Sequence, residues 1–146
     1  MKTIARIDWR SAYSVGNDYI DGQHKQLIDI VNTFFEAMKS GKAQTMVYPI
    51  LNRLVSYAER HFVDEEAAME LAGCPKSMID EHKKVHEKLV QDIFEVTDRV
   101  ISSKDSSAES LSSLGELLST WLLDHILNCD MEYAPYVKNL KFPQGK

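Results

Sequence analysis

The chain has 146 residues, with 17 Lys and Arg against 22 Asp and Glu, for a formal charge of −5. No basic cluster offers a phosphate-binding face, which argues against nucleic acid as a partner, and no run approaches the ~18 to 20 apolar residues of a membrane span. Gly and Pro are scarce, at 6 and 4 residues, and the length suffices for one core without staples, so the expectation is one all-α domain over 1–146.

The first ten residues, MKTIARIDWR, lack an apolar signal-peptide core, and a cytoplasmic location is expected. Cys74 and Cys129 form no CxxC pair and read as two reduced thiols.

Residues 1–17 show no sustained period and read as an extended arm whose Ile7, Trp9 and Tyr13 lie against the body. Over 18–40, His24, Leu27, Ile28, Val31, Phe34, Phe35 and Met38 recur at three- and four-residue steps, one face of a helix that Gly41 stops. A second helix is expected over 45–72, with Thr45 as N-cap and Pro49 near its first turn. Its inner stripe contains Leu51, Leu54, Ala58, His61, Glu65 and Met69. The third, over 77–102, is capped by Ser77, carries Asp80 and Glu81 in its first turn, and has the stripe Met78, His82, Val85, His86, Leu89 and Ile93. After the polar stretch SSKDSSAES, a fourth helix over 108–133 presents Leu114, Leu118, Trp121, Leu122, His125 and Ile126, and Pro135 limits it. Four amphipathic helices with short connections imply an up-down-up-down antiparallel four-helix bundle with an extended N-terminal arm.

All five histidines of the chain fall on these apolar stripes. In such a bundle, His24, His61, Glu65, His82, His86, His125 and Asp130 lie at similar depths from one end, at ~1.5 Å per residue. Unpaired, each buried imidazole or carboxylate would cost several kcal/mol, and a metal centre removes that cost. Imidazole with carboxylate suits iron, manganese or zinc. Seven such ligands are too many for one structural zinc ion, so two carboxylate-bridged metals fit better. His61 with Glu65, and His82 with His86, share helix faces at i, i+4. The spacing from His125 to Asp130 does not: five residues leave side chains ~140° apart on a regular helix. A wide, π-type turn between them is therefore expected; the alternative is that rotamers and a tilted carboxylate span the gap. Glu66 reads as a solvated carboxylate or a partner of a ligand.

The segments DGQH (21–24), HFVDEE (61–66), HKKVH (82–86) and WLLDHILNCD (121–130), with DW at 8–9 and SVGNDYID at 14–21, resemble the successive ligand motifs of hemerythrins, most closely the single-domain bacterial members. The resemblance covers about residues 7–137 and implies two iron ions per chain with a bridging oxo or hydroxo group. It implies His82, His86 and His125 on one iron and His24 and His61 on the other, with Glu65 and Asp130 bridging. The function implied is reversible dioxygen binding for carriage, storage or delivery, with the open position on the iron that has two histidines. Leu27, Phe62, Trp121, Leu122 and Ile126 are expected to line an apolar oxygen pocket. The alternatives are an oxygen-sensing module acting through a signalling partner, or a di-iron peroxidase or nitric oxide-handling enzyme. The imidazole-rich ligand set and the lack of an obvious spare acid favour a carrier over an enzyme.

Overall fold

In a computed structural model of the chain, residues 7–103, 108–125, 130–138 and 140 are described. Four long helices carry the architecture: α1 (Asp18–Lys39), α2 (Ala43–Leu71), α3 (Lys76–Ser103) and α4 (Ala108–Asp124). A 3₁₀ turn at Ser11–Tyr13 precedes them, and a second at Asp130–Glu132 leads into the short α5, Ala134–Val137. α1 packs against α2 and α4, and α2 packs against α3. This is the antiparallel four-helix bundle read from the periodicity. No helix among the described residues is long and apolar enough to cross a membrane.

The starts and stops have local causes. Asn17, in extended backbone, accepts from the backbone N–H groups of Tyr19 and Ile20 and caps α1, while its amide donates to the carbonyls of Val137 and Leu140. One side chain thus starts the first helix and ties it to the end of the fold. At the other end of α1, Gly41 takes φ 76°, a left-handed conformation that costs a residue without Cβ little, and Lys42 N–H reaches the Ala37 carbonyl at 2.7 Å.

Two expected caps are corrected. α2 begins two residues before Thr45, whose hydroxyl instead bonds back to the Lys42 carbonyl at 3.1 Å, and Pro49 lies inside the helix. α3 begins at Lys76, and the Pro75 carbonyl accepts from Met78 and Ile79. Ser77 is therefore inside the helix rather than its cap, and the first turn holds no acidic residue.

The arm is held by specific bonds. Ile7 N–H donates to Asn32 Oδ1 at 2.7 Å, and Asn32 Nδ2 returns a bond to the Ile7 carbonyl at 2.8 Å. Asp21 accepts from the Ser14 hydroxyl and the Val15 N–H, and Lys25 lies 5.1 Å over the Trp9 ring.

Two apolar clusters form the interior. The larger includes Leu27, Phe34, Leu54, Phe62 and Leu122, and the smaller gathers Ile20, Ala68, Met69, Ile79, Tyr133 and Val137. Along α1 the change from one cluster to the other falls between Ile20 and Leu27, and along α2 between Phe62 and Ala68. His24 and Glu65 occupy those gaps, so a polar layer is closed by apolar packing on both sides.

The fourth helix departs from expectation. The sequence places its end at 133 with a π-type turn between His125 and Asp130; the regular α-helix ends at Asp124, His125 has π-type backbone, and Asp130 opens the 3₁₀ turn. A regular helix would turn Asp130 away from the face that His125 shares. Pro135 does not end the fourth helix but sits in the first turn of α5, where its missing N–H costs nothing.

Candidate metal centre

α1 supplies His24, α2 supplies His61 and Glu65, α3 supplies His82 and His86, the π-type turn after α4 supplies His125, and the following 3₁₀ turn supplies Asp130. All seven are buried. Each carboxylate faces imidazoles in two directions through different oxygens. Glu65 Oε2 lies 3.4 Å from His24 Nε2 and 3.2 Å from His61 Nε2, while Oε1 lies 2.9 Å from His86 Nε2. Asp130 Oδ2 is 2.9 Å from His24 Nε2, and its Oδ1 is 3.1 Å from both His82 Nε2 and His125 Nε2.

These atoms fall into two groups able to hold a metal ion, His24, His61, Glu65 and Asp130 in one, and Glu65, His82, His86, His125 and Asp130 in the other. The carboxylates belong to both.

Most of this proximity is not hydrogen bonding, although His82 Nε2 and Asp130 Oδ1 do meet hydrogen-bond geometry at 3.1 Å. Among the described residues, both ring nitrogens of His24, Nε2 of His61 and His86, Glu65 Oε1 and Asp130 Oδ2 have no hydrogen-bond partner although fully enclosed. A buried polar atom left without a partner costs about 1–3 kcal/mol. Atoms that crowd to about 3 Å without aligning a proton suit lone pairs aimed at a shared cation. The donor set, imidazole nitrogen with carboxylate oxygen, fits a first-row transition metal.

A further ring of bonds orients the imidazoles. His61 Nδ1 is 2.6 Å from Gln23 Oε1, and Gln23 Nε2 donates to Asp64 Oδ2 at 2.7 Å. That second bond fixes the amide, so its oxygen accepts from His61 and leaves Nε2 free to face the site. Tyr19 also donates to Asp64. On α3, His86 Nδ1 lies 2.7 Å from Glu66 Oε2. Glu66 is therefore a partner of a ligand candidate, as read from its position.

Charge follows the same geometry. Burial pushes the Glu65 carboxyl up, but the surrounding His61, His125 and His24 outweigh it and hold it well below its ordinary range. Asp130 behaves likewise: burial and Glu65 raise it, and His125 and His24 bring it down. Burial lowers His61. His24 is also buried, yet the carboxylates of Asp130 and Glu65 carry it to about 9.

Tyr133 escaped the sequence reading. Its hydroxyl donates to Glu65 Oε2 at 2.5 Å, its ring meets His82 edge-on at 5.3 Å, and it is fully buried. Burial, then Glu65 and Asp130, raise its phenol well above the ordinary value. It falls on the last residue of the expected fourth helix but outside that helix's apolar stripe, so the stripe did not announce it; its place three residues after Asp130 was the signal available.

Of the expected pocket residues, Leu27, Phe62 and Leu122 are buried in the larger cluster. Phe62 stacks on His86 with centroids 3.9 Å apart and planes 5° from parallel. Trp121 is half-buried and borders a cavity of about 60 Å³ with Leu51, Ile93, Val96 and Leu118. Ile126 and Cys129 lie outside the described residues. Cys74 is buried and free.

The family model for the Hemerythrin HHE cation binding domain matches residues 15–137. Bacteriohemerythrin of Pseudomonas paraeruginosa (strain DSM 24068 / PA7) is 33% identical over 136 residues, covering 93% of this chain and 84% of that protein. Bacteriohemerythrin of Stenotrophomonas maltophilia (strain R551-3) is 34% identical over 135 residues, covering 92% and 84%. The crystal structure of a wild-type hemerythrin superposes with a TM-score of 0.75 at 24% identity, covering 92% of this chain and 99% of that one. At that identity the likeness concerns the fold.

Proposed function

The chain belongs to the hemerythrin HHE cation-binding family, and from that membership we propose that it binds dioxygen reversibly at a carboxylate-bridged di-iron centre, for carriage, storage or delivery. The observation that carries this reading is the pair of overlapping ligand groups with unequal histidine counts. His82, His86 and His125 with both carboxylates offer five protein ligands to one iron. His24 and His61 with the same carboxylates offer four to the other. Were two irons held there with an oxo or hydroxo group, the five-residue set would be fully occupied and the four-residue set would have room for one further ligand. When bound, the iron pair supplies two electrons to dioxygen and recovers them on release.

The protein's own part is orientation and exclusion. Gln23 and Glu66 fix the rings of His61 and His86 through their Nδ1 atoms. Leu27, Phe62 and Leu122 keep water from the layer, with Trp121 and Ile126 assigned to the same wall from their sequence positions. The Tyr133 phenol donates to Glu65 Oε2, so its proton is engaged with a carboxylate rather than offered to a bound ligand. This favours a carrier over a peroxidase or nitric oxide-handling enzyme. The compartment assigned is the cytoplasm, and the cellular partner would be a protein that consumes oxygen or signals its level.

Metal analysis of the purified chain, followed by anaerobic reduction, admission of air and purging, tests the reading. Two irons per chain and a visible band that appears in air and vanishes on purging are expected. A band that decays irreversibly as a co-substrate is consumed contradicts it.

A further inference from the structure

The two ligand groups differ in more than their histidine count. On the three-histidine side, the bond from His86 Nδ1 at 2.7 Å goes to a carboxylate, Glu66. On the two-histidine side, the corresponding bond from His61 Nδ1 at 2.6 Å goes to a neutral amide, Gln23, whose orientation Asp64 enforces. His24 Nδ1 has no partner among the described residues. A carboxylate accepting from an imidazole N–H raises the basicity of the opposite nitrogen far more than an amide does. Tyr133 adds to the imbalance. Its hydroxyl donates to Glu65 Oε2, the oxygen that faces His24 and His61, and does not contact Oε1, which faces His86, so the larger withdrawal falls on Oε2.

All three contacts act in one direction. Electron density is concentrated on the His82, His86 and His125 side and withdrawn from the His24 and His61 side. The geometry points to Glu66, Gln23 and Tyr133 as positioning residues that split the redox potentials of the two metal positions. The three-histidine iron favours the ferric state, and the two-histidine iron, where the open position falls, holds its ferrous state longer. This rests on the di-iron reading above and adds an order of oxidation to it. Each step is a one-electron change: the chemical reductant or oxidant of a titration supplies or accepts the electron, and no bond to protein breaks.

The test is a spectroelectrochemical titration of the iron-loaded full chain and of Glu66→Gln, with iron content and helix content measured on the same samples. The wild type should show two one-electron steps. Glu66→Gln should move the lower step, that of the three-histidine iron, upward by about tenfold in the ferric to ferrous ratio, about 59 mV for one electron, and leave the upper step nearly in place. The reciprocal Gln23→Glu should move the upper step downward and narrow the same gap. It decides the question if Glu66→Gln does not load iron. Equal displacement of both steps, or none in either variant, overturns the inference while leaving the di-iron reading standing. A wild-type chain with fewer than two irons overturns that reading and this inference together.

Discussion

Glu65 and Asp130 touch imidazoles on both sides of the site through different oxygens, so their loss differs in kind from the loss of a histidine. Replacing Glu65 with Ala removes a ligand from both groups, and iron content should fall close to zero. Replacing His24 with Ala strips only one group, and about one metal per chain should remain, because the other still offers five donors. Metal analysis of the two variants side by side separates these outcomes, and equal losses would argue against shared carboxylates. Leu122, 1% exposed in the larger cluster, makes a different prediction. If it lines the proposed oxygen pocket, replacing it with Asn should admit water and accelerate autoxidation several-fold, read as the decay of the oxygenated band. An unchanged rate removes the water-excluding role assigned to it.

The elements show why some of the site was legible and some was not. His61 with Glu65 and His82 with His86 share a helix face at i, i+4, so a one-dimensional pattern sufficed to place them. His125 and Asp130 could be read only as a conflict, since five residues disagree with a straight helix; the structure ends regular helix at Asp124 and turns widely at His125. Gln23 and Tyr133 had no periodic signal, because each acquires its role from a partner about 40 or more residues away. Thr45 and Ser77 were misread as caps because the local capping preference competes with neighbours, here Lys42 and Pro75, that start the helices earlier. Deleting Asn128 shortens the His125 to Asp130 separation to four residues and should bring iron loading below one per chain, measured on protein of unchanged helix content. Full loading would show that the five-residue spacing is not required. The arm is a separate element: Asn32→Ala removes both bonds to Ile7 and should raise amide exchange at residues 7–15 with iron content intact.

For the molecule as a whole, a polar layer is enclosed between two apolar clusters, and its unpartnered atoms weaken the metal-free fold. Chelating the metal should therefore lower the melting temperature, and reloading should restore it. A ligand at a thousand times its dissociation constant contributes about 4 kcal/mol. The same enclosure that makes those atoms costly would keep water from a metal held there. The most direct test of the central claim, a dinuclear centre with one open position, is dioxygen uptake by the anaerobically reduced chain, measured against its iron content. The account predicts one dioxygen taken up for every two irons and returned on purging. No uptake at full iron loading, or uptake that purging does not reverse, would contradict it.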